Sequence, residues 1–153
     1  MGFFASGGTK KQIKDKEEEI KSELWSKMEC KACPLNTVTN LHNPKMEATG
    51  SDKPVIYCIG EAPGTNEDLE GEQFVGKSGD LLRPLLRTEI RKKKVRWNNT
   101  IRCHPSKNRD LEKIEIECCR PSIVRDIENT KPKVIFGFGG IPLAWAINRT
   151  GIT

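Results

Sequence analysis

No stretch of this 153-residue chain approaches the run of about eighteen apolar residues that a membrane helix requires, so no membrane-spanning role is expected. The N-terminus also lacks a basic segment followed by an apolar core, which argues against secretion and for an intracellular protein. MGFFAS does fit the myristoylation pattern M-G-x-x-x-S/T, but so loose a pattern is often met by chance. Internal repeats are absent, and the one low-complexity tract is a Lys/Glu-rich segment near the start. At this length there is room for one domain and one core. Charged residues make up 31% of the chain and the net charge is +5, which suits a soluble protein and hints mildly at a polyanionic partner. Six cysteines in an intracellular chain point to metal or catalysis more than to disulfides.

The pattern along the chain alternates strands and helices. Residues 1–9 read as a flexible lead. Lys10 to Met28 carries Ile13, Ile20, Leu24 and Trp25 at helical spacing, which predicts an amphipathic helix with a solvated charged face. Residues 1–29 are thus expected to precede a domain spanning 30–153. Cys30 to Asp52 is irregular. PVIYCIG, ending at Gly60, reads as a strand buried on both faces, followed by GEAPGTNEDLEG as a loop. A helix is predicted from about Ser78, with Pro84 tolerable only in its first turn. RKKK (Arg91 to Lys94) reads as an exposed connection. VRWNNTIR predicts a second strand, LEKIEIECCRPSIVRDIEN a helix interrupted near Pro121, KVIFGFGG a third strand and PLAWAIN a further helix. The implied architecture is a parallel α/β sheet covered on both sides.

GEQFVGKS, Gly71 to Ser78, matches the phosphate-loop pattern G-x-x-x-x-G-K-S/T. A phosphate loop leaves a strand directly and opens a helix, whereas here the strand stops at Gly60. An Asp closing another apolar strand would hold magnesium, yet the third strand ends FGFGG. Nucleotide binding is the weaker reading.

Cys30 and Cys33 form a C-x-x-C pair, and Cys103 with Cys118 or Cys119 supply further candidates. No second C-x-x-C knuckle is present, which disfavours a zinc ribbon and favours an iron–sulfur cluster over zinc. Buried free thiols and a redox pair are the alternatives. Cys58, mid-strand, reads as a small core residue.

Taken together, four segments resemble the iron–sulfur (family-four) uracil-DNA glycosylases. They are GEAPGTNEDLEGEQFVGKSGDLL, NNTIRCHPSKNR, CKACPLNT and CRPSIVRDIENTKPKVIFGFGG, and their order along the chain, which starts with CKACPLNT, is the family's. The first departs from the family in carrying Gln73 where proline is usual. The resemblance implies a Rossmann-like three-layer α/β sandwich with a parallel sheet of about four strands, of which three are evident. It implies a [4Fe–4S] cluster on Cys30, Cys33, Cys103 and Cys119, selecting Cys119 over Cys118, with zinc the alternative. It further implies a monomer that removes uracil from single- or double-stranded DNA and leaves an abasic site, possibly as part of a longer polypeptide.

Such chemistry needs the base out of the stack and in a closed pocket. The resemblance assigns Phe74 to stack on the ring and Asn99 to pair with its edge. Asn98 is expected on the opposite face of the strand. Ala62 and Gly64 would shape the pocket wall, and Glu67 would exclude the thymine methyl. Glu61 would hold water or stabilise the sugar cation, while Lys77, Ser78 and Arg109 would contact phosphate. The family also carries a later His-Pro-Ser/Ala motif whose histidine donates to the uracil anion. No such segment follows the third strand here, so a truncated domain is expected. His104-Pro105-Ser106 is not its counterpart. The rival readings are a non-catalytic iron–sulfur DNA-binding module and a nucleotide binder.

Overall fold

A computed structural model describes residues 29–86 and 94–147. The lead, the amphipathic helix expected over 10–28 and most of the RKKK connection lie outside the described residues.

Four strands form one sheet in the order β1-β3-β2-β4. They are β1 (Thr49–Gly50), β2 (Ile56–Gly60), β3 (Val95–Asn99) and β4 (Val134–Gly137). β2 pairs in parallel with β3 on one side and β4 on the other, and the two-residue β1 pairs antiparallel with β3. β2 is a run of aromatic and β-branched residues whose apolar side chains can be buried on both faces, and Tyr57, Cys58 and Ile59 are wholly inaccessible. β1 falls in the stretch expected to be irregular and carries no strand signal of its own.

Alternation along β2 and β3 separates two cores. Cys58, Val95 and Trp97 face one side with Phe74 and Leu82. Tyr57 and Ile59 face the other, against Ile123 and the cysteines Cys33, Cys103, Cys118 and Cys119. Each fully buried Ile contributes about 1.5–3 kcal/mol through desolvation. The chain leaves β2, reaches β3 on one flank, then crosses back over β2 to β4, so the crossovers cover opposite faces. This reversal creates a switch point at the carboxyl ends of β2, β3 and β4, where ligands of open α/β sheets bind.

The helices depart from expectation in three places. The GEAPGTNEDLEG loop contains a short helix, α1 (Thr65–Glu70), whose Glu67 side chain accepts from the Gly64 N–H at its start and which ends at Gly71 in the left-handed region. In α2 (Lys77–Leu85) Pro84 falls in the last turn instead of the first, and the helix ends one residue later. α3 (Lys113–Thr130) runs straight through Pro121. Burial of Cys118, Cys119, Pro121 and Ile123 against the sheet holds the helix together across the one hydrogen bond that the proline removes. α4 (Gly140–Ala146) follows β4 as expected.

β4 is exposed along its whole length, not buried on both faces. Among the described residues it has a strand on only one edge, and Val134, Ile135 and Phe136 remain 41–49% exposed.

A buried network fixes β2, β3 and α3. The Tyr57 hydroxyl donates to Asp126 at 2.6 Å and accepts from Asn98 Nδ2 at 2.9 Å, while Arg96 donates twice to the same carboxylate at 2.8 Å. Burial pushes the Tyr57 phenol far above its ordinary range.

Asp68 ties α1 to residues 42–43, accepting from the backbone N–H groups of His42 and Asn43 at 3.1 and 3.0 Å. Burial by itself raises its pKa, but these bonds and the His42 ring more than offset it, holding the carboxyl below its usual range. A group depressed in the folded state contributes stability above its unfolded value of about 3.9, and that contribution fades as pH falls through the folded value. Asp68→Asn should therefore be less stable than the wild type at pH 7 and should lose less on acidification to pH 3. Urea midpoints at the two pH values check both.

Candidate functional site: a cleft at the strand ends and a cysteine group behind it

The described residues form a cleft of about 610 Å³ at the switch point. β2 contributes Gly60 and the turn after it, β3 contributes Asn99, and the α2 N-terminus contributes Lys77 and Ser78.

Phe74 is buried, and its ring packs against Trp97 (centroids 5.0 Å apart) and edge-on to Phe138 (6.1 Å). Its backbone sits in the left-handed region at φ 57°, a costly conformation for a bulky residue unless its surroundings enforce it. Two features enforce it. Arg83 donates to the carbonyls of Gln73 (2.8 Å) and Phe74 (2.9 Å), its guanidinium lying over Trp97 at 5.1 Å. Gly79 lies so close that a Cβ there would stand 1.7 Å from the Phe74 oxygen. The α2 helix is therefore seated directly on the Phe74 peptide.

Asn99 and Asn98 point to opposite faces, as period-two alternation requires. Asn98 joins the Tyr57 network, whereas Asn99 lies on the cleft side and donates through Nδ2 to Gln73 Oε1 at 2.7 Å. Gly60 gives the Asn99 amide and the Phe74 ring their room: a Cβ on Gly60 would meet Asn99 Oδ1 at 2.4 Å and Phe74 Cζ at 2.7 Å.

Glu67 is buried at the cleft wall, where its two oxygens accept from the N–H groups of Gly64 (3.0 Å) and Gly76 (2.8 Å). One carboxylate thus spans both glycine turns. Glu61 is exposed at the rim, and its carbonyl takes the Thr100 hydroxyl (2.5 Å) and N–H (3.2 Å), locking the turn to the end of β3. Ala62 and Gly64 line the same wall. Arg109 is placed differently from its neighbours in the motif. Its guanidinium grips the buried Glu115 of α3 with both Nη groups, so its fork faces α3. His104 supports the turn from behind, bonded through Nδ1 to the Pro63 carbonyl at 2.9 Å. No histidine is among the described residues lining the cleft.

The cysteines gather on the other face of the sheet. Cys33, Cys103, Cys118 and Cys119 are buried in one core, with Cys30 beside them. Backbone N–H groups aim at three sulfurs: Leu35 and Asn36 at Cys33, Lys45 at Cys103 (3.3 Å) and Arg102 at Cys119. Cys118 has the Cys33 thiol as a hydrogen-bonding neighbour. Burial raises all four thiols, Cys119 to about 12. Cys58 lies apart in the opposite core, as expected. Among the described residues no three His, Cys, Asp or Glu side chains converge tightly enough for a single metal ion.

The phosphate-loop pattern has no phosphate-loop geometry: Gly71 closes α1, Gly76 opens α2, and no strand enters the turn. Sequence reasoning missed Arg83, Gly79 and Phe138. Arg83 had a signal, since a basic residue on an amphipathic helix beside a Gly-rich turn can clamp its carbonyls; Phe138 had none.

The fold and cleft define a doubly wound α/β protein whose ligand site, at the strand ends, offers an aromatic ring and a side-chain amide. Residues 48–151 match the Uracil DNA glycosylase superfamily, and the chain belongs to that family. It is 36% identical over 122 residues to the Type-4 uracil-DNA glycosylase of Archaeoglobus fulgidus, covering 79% of this chain and 60% of the relative. It is 34% identical over 139 residues to that of Sulfurisphaera tokodaii, covering 90% of this chain and 60% of the relative. The Thermotoga maritima protein of the same name is 35% identical over 131 residues, with 85% and 66% covered. The chain thus spans about 60% of the length of the first two relatives.

Proposed function

We propose that this chain carries the base-binding and cluster-binding part of a uracil-DNA glycosylase, which hydrolyses the N-glycosidic bond of an extruded uracil in DNA. The observation that carries the reading is the joint placement of Phe74, Asn99 and the Gly60–Gly64 turn around one cleft. A π-face and an amide are what recognition of a single flipped pyrimidine needs. Asn99 Oδ1 would accept from uracil N3–H. Cytosine has no proton on N3 and would leave that acceptor desolvated and unpaired, at a cost of about 1–3 kcal/mol.

Glu61, at the rim, is the carboxylate suited to hold the attacking water or to face the developing sugar cation. Glu67 bridges the two turns and would meet the edge of the base, where it would resist a thymine methyl. Lys77 and Ser78, exposed at the start of α2, would take DNA phosphate with help from the N-terminal end of the helix dipole. Arg109 would reach phosphate only through the N–H groups that Glu115 leaves.

Cys30, Cys33, Cys103 and Cys119 would hold a [4Fe–4S] cluster. The burial of Cys33, Cys103 and Cys119, the half-buried Cys30 beside them and the N–H groups aimed at three of the four sulfurs fit thiolates bound to such a centre. A cluster coordinated by four thiolates supplies folding free energy and leaves no open ligand position for substrate.

The test is incubation with single-stranded and duplex oligonucleotides containing one uracil, followed by alkali. Strand cleavage at the uracil and none at cytosine or thymine is the expected result. Binding without cleavage would leave a non-catalytic DNA-binding module.

A further inference from the structure

Gln73 stands where the resembled family usually has proline, and its side chain is wholly buried beside the cleft. Its Nε2 donates to the Glu47 carbonyl at 3.2 Å, and its Oε1 accepts from Asn99 Nδ2 at 2.7 Å. The two bonds set each other's direction. A backbone carbonyl can only accept, so Nε2 must face Glu47 and Oε1 must face Asn99. Asn99 must then turn its own Nδ2 to Gln73. Its remaining oxygen lies on the Gly60 and Phe74 side, within the cleft.

The same contacts lead back to the cysteines. Glu47 lies on a strap whose Lys45 N–H donates to Cys103 Sγ at 3.3 Å. Arg102, next to Cys103, donates to the carbonyls of Lys45 and Met46 at 2.6 and 2.8 Å, and the Met46 N–H returns a bond to the Arg102 carbonyl at 2.8 Å. The strap is therefore fastened at the cysteine site at one end and holds Gln73 at the other.

We propose that Gln73 is a positioning and specificity residue: it fixes the Asn99 amide with its oxygen toward the cleft and anchors that orientation to the strap held at Cys103. This rests on the reading of the cleft as a uracil pocket, but the orientation itself does not. A proline at position 73 has no side-chain acceptor, so the device belongs to this chain and not to relatives carrying proline.

The test compares wild type with Gln73→Met, of similar size but without either polar group, and with Gln73→Glu, which keeps an acceptor toward Asn99. Hydrogen exchange of the Asn99 side-chain amide by NMR, with Asn99→Ser providing the assignment, reads the orientation without any activity. Loss of one hydrogen bond predicts about tenfold faster exchange in Gln73→Met, with protection regained only in part in Gln73→Glu, which keeps the acceptor toward Asn99 but loses the donor to Glu47. Excision of uracil should fall about tenfold in kcat/KM in Gln73→Met, and the melting midpoint should fall by several degrees because the Asn99 amide and the Glu47 carbonyl lose their buried partner. Unchanged exchange in Gln73→Met overturns the proposal whether or not the chain excises uracil. Accelerated exchange in a chain that releases no uracil sustains the orientation and removes the function.

Discussion

Gly79→Ala is expected to destabilise the chain by about 2–3 kcal/mol and to abolish uracil release. The added methyl would stand 1.7 Å from the Phe74 oxygen and 2.3 Å from its carbonyl carbon. These are backbone atoms, which no rotamer change can move aside. Either α2 lifts from the turn, or the Phe74 peptide abandons its left-handed conformation and the carbonyls that Arg83 holds. Both routes withdraw the ring from Trp97 and open the cleft. A fall in Tm of roughly 10 °C would accompany the loss. Lys77→Ala is the contrast: the side chain is exposed, so DNA binding should weaken with little change in Tm.

The second large effect is expected at Cys103→Ser. Iron content should drop from about four per chain toward zero, with loss of absorbance near 400 nm. Stability should fall by several kcal/mol, because binding of the proposed centre would be part of the folding free energy. The loss should also reach the cleft, since Cys103 Sγ accepts the Lys45 N–H at the head of the strap that holds Gln73. Cys118→Ala and Cys58→Ala should retain iron: the resemblance selects Cys119 over its neighbour Cys118, and Cys58 lies in the other core. Iron retained in Cys103→Ser, or lost in Cys118→Ala in place of Cys119→Ala, would redraw the ligand set.

Much of this was legible in the sequence because its signals are local. Apolar runs ending in glycine marked β2 and the start of the cleft. Alternation sent Asn98 and Asn99 to opposite faces, and motif order brought distant cysteines together. What stayed hidden depends on tertiary contact. Pro121 signals a break, yet burial of the helix around it outweighs one missing hydrogen bond. GEAPGTNEDLEG reads as loop because its glycines and Pro63 are poor helix formers, but Glu67 and Asp68 are each held by backbone N–H groups brought from elsewhere in the chain. Arg109 looks like a phosphate ligand until Glu115, buried on α3, appears beside it. Gln73 was visible only as a departure from a pattern; its two partners, Glu47 and Asn99, are far from it in sequence and meet it only in the fold.

The most direct measurement is made on the purified chain with a single-stranded oligonucleotide bearing one uracil, scored for free uracil by mass and for an alkali-labile site. The account predicts both products in equal amount, neither with a cytosine-containing strand, and neither from Asn99→Ala. An intact strand after prolonged incubation, or equal release from the cytosine strand, would contradict it.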